Sequence, residues 1–472
     1  MKITIKQLLL LSFGVFILLL SFMQGADVGF TIIIILWYYS LVYCLFDIKK
    51  RLGYACFLAT FFLFLLGAYV ADQFFHYTEN VVFFDKSITT HIYILLAISL
   101  LGLFLGNIID IRKKYKNGFK DNKLYLQHMK RISKIGFYIS FIPYLISVII
   151  QAALVRNSGY TEIYLSDTLL LPFIIRIIAY SCPIFLFLFL STLPNKRECN
   201  IPIFLYFIYS AISLLSGRRS IFVINCLTIF MYILYRSSNG KEEKWINKKI
   251  LLTLFIILPI VAILLNVYGQ TRFGDSDVIK HNNIFDSILN VFTSQGVSIS
   301  VIGYEKYYEN VLPDKLYSLS GLIEFLKFNP VSNVIFNFTK YTGQTVERAL
   351  YGDLFTHAIS YFVLPYNYLR GRGLGSSYIA EVYHDFSYIG VFIVNLIYGV
   401  VLKVCSNFNR NSVWLRFICL MIINSILMAP RSTTDAFISN FTHIEVILAV
   451  ILVWGGSNIL YNRKRLNRKI NE

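Results

Sequence analysis

Apolar residues fill run after run of about 20 positions along this chain, the length a helix needs to cross a ~30 Å hydrocarbon core. Twelve such runs stand at residues 7–24, 28–46, 54–74, 91–110, 135–155, 169–192, 201–216, 220–235, 250–268, 386–405, 414–429 and 441–460. The pattern predicts an all-α polytopic membrane protein with about twelve transmembrane helices. Between Gln270 and Asp385 the runs stop for about 115 residues. That interval is not polar: residues 284–302 and 316–338 space their apolar positions with a helical period, which predicts short amphipathic helices lying on a membrane surface. The expected organisation is therefore residues 1–268 with nine spans, residues 269–385 as a partly helical loop, and residues 386–472 with three spans and a basic tail.

Charge orients these spans. Short loops retain Lys and Arg on the cytoplasmic side, and with twelve spans the inner segments hold 29 of the 44 basic residues and seven of the 26 acids. The inner face then carries +22 and the remainder −4, which predicts both termini inside and the long loop outside. Residues 2–26 share features with a secretory signal peptide and are read as an uncleaved first helix. The net charge of +18 is accounted for by this asymmetry and by attraction to anionic lipid headgroups, so nucleic acid is not an expected partner.

Composition removes several classes of function. All seven cysteines (Cys44, Cys56, Cys182, Cys199, Cys226, Cys405 and Cys419) fall in spans or on the inner side, so disulfides do not staple the outer loop. No Cys/His spacing resembles a zinc site, and no Walker A or dinucleotide fingerprint is present. Asp275-Ser-Asp277 has the form of a metal-binding Asp-x-Asp but reads more simply as a solvated loop. No cofactor is expected.

Candidate chemistry begins with arginines expected near the outer surface. Arg218 and Arg219 occupy the turn Ser216-Gly-Arg-Arg-Ser220, and Arg272 follows span nine in Gln270-Thr-Arg-Phe-Gly-Asp275. Arg370 and Arg372 lie in Leu369-Arg-Gly-Arg-Gly-Leu-Gly-Ser-Ser377, and Arg431 in Pro430-Arg-Ser-Thr-Thr-Asp435. A guanidinium donates two parallel hydrogen bonds to phosphate and stays charged at working pH. Small or hydroxyl residues ahead of a helix add free backbone N–H groups that favour an anion. A diphosphate at headgroup depth suits this set, although any one of these arginines could instead anchor a helix end to lipid phosphate. Arg176, in an apolar run, is expected to face inward.

Proton-transfer candidates cluster in Glu381-Val-Tyr-His-Asp385, where a helical period puts Glu381 on one face with His384 or Asp385; His357 and Asp435 are further options. The same cluster would equally serve to hold the helix in place. The loop is rich in tyrosine, which suits sugar faces and interfacial belts alike.

Taken in order, Ser-Gly-Arg-Arg-Ser at the head of span eight, Thr-Arg-Phe-Gly after span nine, Gly-Leu-Gly-Ser-Ser-Tyr-Ile-Ala-Glu followed by Tyr-Ile-Gly, and Pro-Arg-Ser-Thr-Thr-Asp resemble the Wzy-type O-antigen (oligosaccharide repeat-unit) polymerases over residues 210–445. The resemblance implies a GT-C-like membrane glycosyltransferase at the outer, periplasmic face of a bacterial inner membrane. In such an enzyme the growing glycan on undecaprenyl diphosphate is transferred to a sugar of a new lipid-linked repeat unit. It implies undecaprenyl-diphosphate-linked oligosaccharides and membrane lipids as partners, with a chain-length regulator and a flippase of the same pathway. Under it Arg218, Arg272 and Arg431 hold diphosphate, supported by Arg219, Arg370 and Arg372, without a metal. Glu381 is the first choice of base, His384 the second, and Asp385 belongs to the same cluster. An O-antigen ligase acting on lipid A core, or a lipid-linked oligosaccharide flippase, are the alternatives.

Overall fold

A bilayer offers no partner to backbone N–H and C=O groups, so a crossing segment must satisfy its own, and a continuous apolar run does so as a helix. The computed structural model describes residues 5–109, 122–158, 171–217, 219–239, 245 and 284–471. Among the described residues ten helices are long and apolar enough to cross a membrane: Val28–Phe46, Ile48–Phe75, Lys86–Ile108, Lys123–Asn157, Phe173–Ser191, Lys196–Ser216, Ser220–Ser237, Tyr378–Ser406, Val413–Arg431 and Ile444–Arg465. The first expected span is also helical, over Ile5–Met23. The ninth, 250–268, lies outside the described residues. The chain is an all-helical, multi-pass membrane protein.

Contacts sort the chain into two units. One comprises Ile111–Ile246, Asn407–Ser425 and Phe437–Glu472. Its interior is tied by polar links between helices: Tyr144 stacks on Tyr209 at 3.6 Å, and Tyr206 donates to Asn225 Oδ1 at 2.7 Å. Asn225 Nδ2 in turn reaches Ser210 Oγ at 3.0 Å, so the buried amide is partnered on both sides.

The other unit, Met1–Asp110 with Asn247–Ser406 and Ile426–Ala436, contains most of the outer-loop candidates. Its centre is the crossing of the Lys86–Ile108 and Tyr378–Ser406 helices, which meet through glycine. A Cβ on Gly106 would fall on the Leu396 carbonyl, one on Gly399 on the Leu103 carbonyl, and one on Gly102 would sit 2.8 Å from the Phe392 carbonyl. With no side chain between them the backbones touch. Asn395, wholly buried, bridges the pair by donating to Ser99 Oγ (3.2 Å), and accepts from Tyr378 of its own helix (2.6 Å).

The stretch between the spans departs from the expected surface helices in a specific way. Residues 284–302 form two helices, Ile284–Gln295 and Val297–Tyr308, parted at Gly296, where any Cβ would meet Ala68. The second is buried along most of its length, because its small and apolar residues line more than one face. Residues 316–338 are also split. Pro330 holds Asn329 in an extended conformation (φ −74°, ψ 157°), which ends Ser320–Phe328, and the Asn329 side chain caps Pro330–Phe336 by accepting from Ser332 N at 2.9 Å. The Tyr378–Ser406 helix starts eight residues ahead of the expected span at 386 and breaks at Ser387 (φ 54°, ψ −158°). Its first turns are thereby angled away from the membrane-crossing part, at a backbone cost of about 1–3 kcal/mol.

Candidate functional site

Glu381 sits in the first turn of the Tyr378–Ser406 helix and is 0 % exposed. A carboxyl withdrawn from water needs donors, and Glu381 has three. Ser376 Oγ donates to Oε1 at 2.6 Å, while the Thr434 backbone N–H and hydroxyl both donate to Oε2 at 2.8 Å. The Thr434 hydroxyl also lies 3.3 Å from the Tyr378 carbonyl, and Tyr398 donates to the Thr434 carbonyl at 2.6 Å. One carboxyl thus joins the Gly-Leu-Gly-Ser-Ser segment to the Pro-Arg-Ser-Thr-Thr-Asp segment, two motifs that are far apart in sequence.

Arg431 belongs to the short 3-10 turn Ala429–Arg431 that Thr434 follows. Its Nη1 donates to Gln295 Oε1 at 2.9 Å, and its guanidinium stands 5.9 Å from the centre of the Phe64 ring. Gly375, at φ 87°, passes the Arg431 carbonyl, which a Cβ there would meet at 4.0 Å, an ordinary van der Waals contact. Arg370 is exposed and stacks on Tyr366 at 3.9 Å, in a turn closed by Arg370 N and Arg372 N donating to the Asn367 carbonyl. Arg218, Arg272, Asp275 and Asp277 lie outside the described residues; Arg219 opens the Arg219–Asn239 helix, and its side chain is likewise outside.

The remaining candidates hold the outer segment. Asp385 accepts from Tyr317 N (3.1 Å) and Ser318 N (2.7 Å). Asp435, 2 % exposed, accepts from Leu322 N at 2.8 Å and so caps the free N–H groups that open Ser320–Phe328. Burial raises the Asp435 carboxyl above its ordinary range, opposed by the backbone N–H groups of Leu322 and Gly321. His384 Nδ1 lies 3.5 Å from Glu305 Oε1, a carboxyl raised by burial and held down in part by that imidazole. His357 Nδ1 is 3.0 Å from the Tyr368 hydroxyl, and burial, with the charge of Arg348, pushes it down to about 3. Glu381, His384 and Asp385 share one helical stretch, yet each meets a different neighbour. Among the described residues no group of three His, Cys, Asp or Glu stands ready to hold a metal ion.

Two participants were not visible in the sequence reading. Gln295, which receives Arg431, ends a helix with no motif around it. Glu324 lines a cavity of about 250 Å³ with Lys327, Tyr341, Arg348, Tyr351 and Asp353. Its one sequence signal was being the sole acid of the 316–338 amphipathic piece.

A family model described as O-antigen polysaccharide polymerase Wzy matches residues 3–464, nearly the whole chain. No curated protein and no solved structure matches.

Proposed function

Because the chain belongs to the O-antigen polysaccharide polymerase Wzy family, we propose that it moves a growing glycan from undecaprenyl diphosphate onto a sugar of a fresh lipid-linked repeat unit, at the periplasmic face of a bacterial inner membrane. The observation that carries this reading is the clamp of Ser376, Glu381 and Thr434 that sets Arg431 beside the glycine-rich segment. In the proposed step an acceptor hydroxyl oxygen bonds to the anomeric carbon of the donor while the bond from that carbon to the diphosphate oxygen breaks. The departing diphosphate gains negative charge, which Arg431 neutralises through its planar fork with support from Arg370 and Arg372. Arg218, Arg219 and Arg272 are assigned the same task from the sequence. Fixed guanidinium charge then serves where a divalent metal serves other transferases.

We assign the acceptor proton to Glu381. The Thr434 hydroxyl has a second acceptor in the Tyr378 carbonyl, so turning it there leaves Oε2 for a sugar hydroxyl without orphaning Thr434. Asp385 and the His384–Glu305 pair keep residues 305–318 in place around that helix. Surface polysaccharide from a strain lacking the gene tests the reading. Core capped with single repeats supports polymerisation, whereas bare core with accumulated lipid-linked polymer means ligation to core and overturns it.

A further inference from the structure

Outside the clamp, the cavity beside Ser320–Phe328 is walled by side chains whose chemistry matches a sugar more closely than an anion. Building on the polymerase reading, we propose that this cavity is a saccharide subsite for the acceptor repeat unit, with Glu324 and Arg348 bonding its hydroxyls and Tyr351 covering a ring face.

Charge balance argues against phosphate as the occupant. Lys327 is paired with Asp353 at 2.7 and 2.9 Å, and Arg348 faces Glu324, so among the lining side chains two cations meet two carboxylates, and the wall is not the cluster of unopposed cations that a diphosphate calls for. A polyhydroxylated ligand needs just such a mixture of donors and acceptors. Glu324 makes no hydrogen bond with any described residue, and burial raises its carboxyl while Arg348 lowers it. A half-buried acceptor with unused lone pairs is what a sugar hydroxyl satisfies. Tyr341 and Tyr351 stand 6.0 Å apart with planes 33° from parallel, and Tyr351 is 62 % exposed, presenting a face of the kind that stacks on the C–H side of a pyranose. The cavity volume of about 250 Å³ lies near the lower end of the ~300–1,000 Å³ range of small-molecule sites, on the scale of one sugar ring.

The walls are also fixed before any ligand arrives. Lys315 Nζ donates to the carbonyls of Leu350 (3.0 Å) and Gly352 (2.7 Å), and Arg348 Nη1 to the Gly343 carbonyl (2.9 Å). Preorganisation of this kind lowers the ordering cost of binding. Position links the cavity to the clamp: Leu322, two residues before Glu324, gives its N–H to Asp435 in the Arg431 segment. A sugar bound against Glu324 is therefore held by the helix that the Arg431 segment caps.

The test uses full-length protein in nanodiscs and, as probe, the free repeat-unit oligosaccharide released by mild acid from the cell's own lipid-linked precursor, followed by calorimetry. Wild-type protein is expected to bind it. Glu324→Gln and Tyr351→Ala should each weaken binding about tenfold or more, and Tyr351→Phe should retain it. Absence of binding by wild type, equal binding by Glu324→Gln and Tyr351→Ala in preparations with wild-type melting temperature, or displacement by inorganic pyrophosphate would each overturn the proposal. The acceptor KM separates it from the polymerase reading. Polymer made by Glu324→Gln with an unchanged acceptor KM sinks the subsite alone, while Glu324-dependent binding in a protein that makes no polymer sinks the polymerase reading and leaves the subsite standing.

Discussion

Glu381 grips Thr434 at two points, its Oε2 receiving both the backbone N–H and the hydroxyl at 2.8 Å. Because Arg431 lies three residues earlier in the same segment, the carboxyl that we assign the acceptor proton also fixes the cation that we assign the leaving group. Disturbing one is therefore expected to register at the other.

Replacing Glu381 with Gln keeps its size but puts an amide where three donors converge. Turnover by purified protein on lipid-linked repeat units should fall about 10²- to 10³-fold, within the range of a lost general base, while donor binding falls only a few-fold. Thr434→Val, which removes the hydroxyl and keeps the backbone N–H, should have a smaller effect. Wild-type turnover in Glu381→Gln would remove it from the chemistry.

Arg431→Lys keeps the charge and loses the planar fork, so kcat/KM should fall about 10- to 100-fold, equivalent to about 1.4–2.8 kcal/mol. Arg218→Lys and Arg272→Lys are expected to act in the same direction. Polysaccharide ladders of normal length and intensity from all three variants would end the case for phosphate recognition by these residues.

Polymerisation should continue in excess EDTA, because fixed guanidinium charge is assigned the role of a metal. Activity that disappears with EDTA and returns with magnesium or manganese would redirect attention to Asp275 and Asp277.

His357 gives the fold a testable pH dependence. Its imidazole is pushed down to about 3 in the folded chain and titrates near 6.5 when unfolded. The unfolded state therefore takes up the proton first, so stability from this group is full above about pH 6.5 and declines as the pH falls toward 3. Between pH 6.5 and 4.5 the loss should be about 1–2 kcal/mol once residual exposure is allowed for. The buried carboxyls of Glu305, Glu324 and Asp435 are raised and act in the opposite sense. Thermal melts of wild type against His357→Gln isolate the histidine, whose variant should lose less on acidification. Parallel curves would contradict the assignment.

Topology reporters fused after Lys315 should behave as periplasmic, and those after Lys123 or Lys464 as cytoplasmic. A cytoplasmic signal at Lys315 would invert the membrane orientation on which the proposed site depends.

The spans were legible because each is a local property, about twenty apolar residues in a row, and the Glu381 and Arg431 segments stood out as candidates because their residue types are unusual beside apolar helices. Their union was not legible: the Glu381–Thr434 pairing spans 53 residues and the Arg431–Gln295 contact 136, and nothing local in either sequence announces the other. The first turn of the Tyr378 helix shows the same limit. Helical period put Glu381 on one face with His384 or Asp385, and the three do share one helical stretch, but each takes its partners from a different segment, which is a tertiary outcome. Glu324 was hidden because a single acid in an amphipathic piece looks like the wet side of a surface helix until a cavity closes around it.

The glycine contacts between Lys86–Ile108 and Tyr378–Ser406 give that arrangement a datum. Gly106 and Leu396 meet backbone to backbone, and Leu396 lies nine residues, roughly 13 Å at 1.5 Å per helical residue, from the break at Ser387 beyond which Glu381 stands. A single methyl group at Gly106 has no cavity to enter and must pry the helices apart, at a cost of about 1–3 kcal/mol. The tilt would be carried along the helix to its outer turns, in the way play in a hinge pin is magnified at the free edge of a door. Alignment of the clamp is thus governed at a distance by three residues whose contribution is the side chain they do not have.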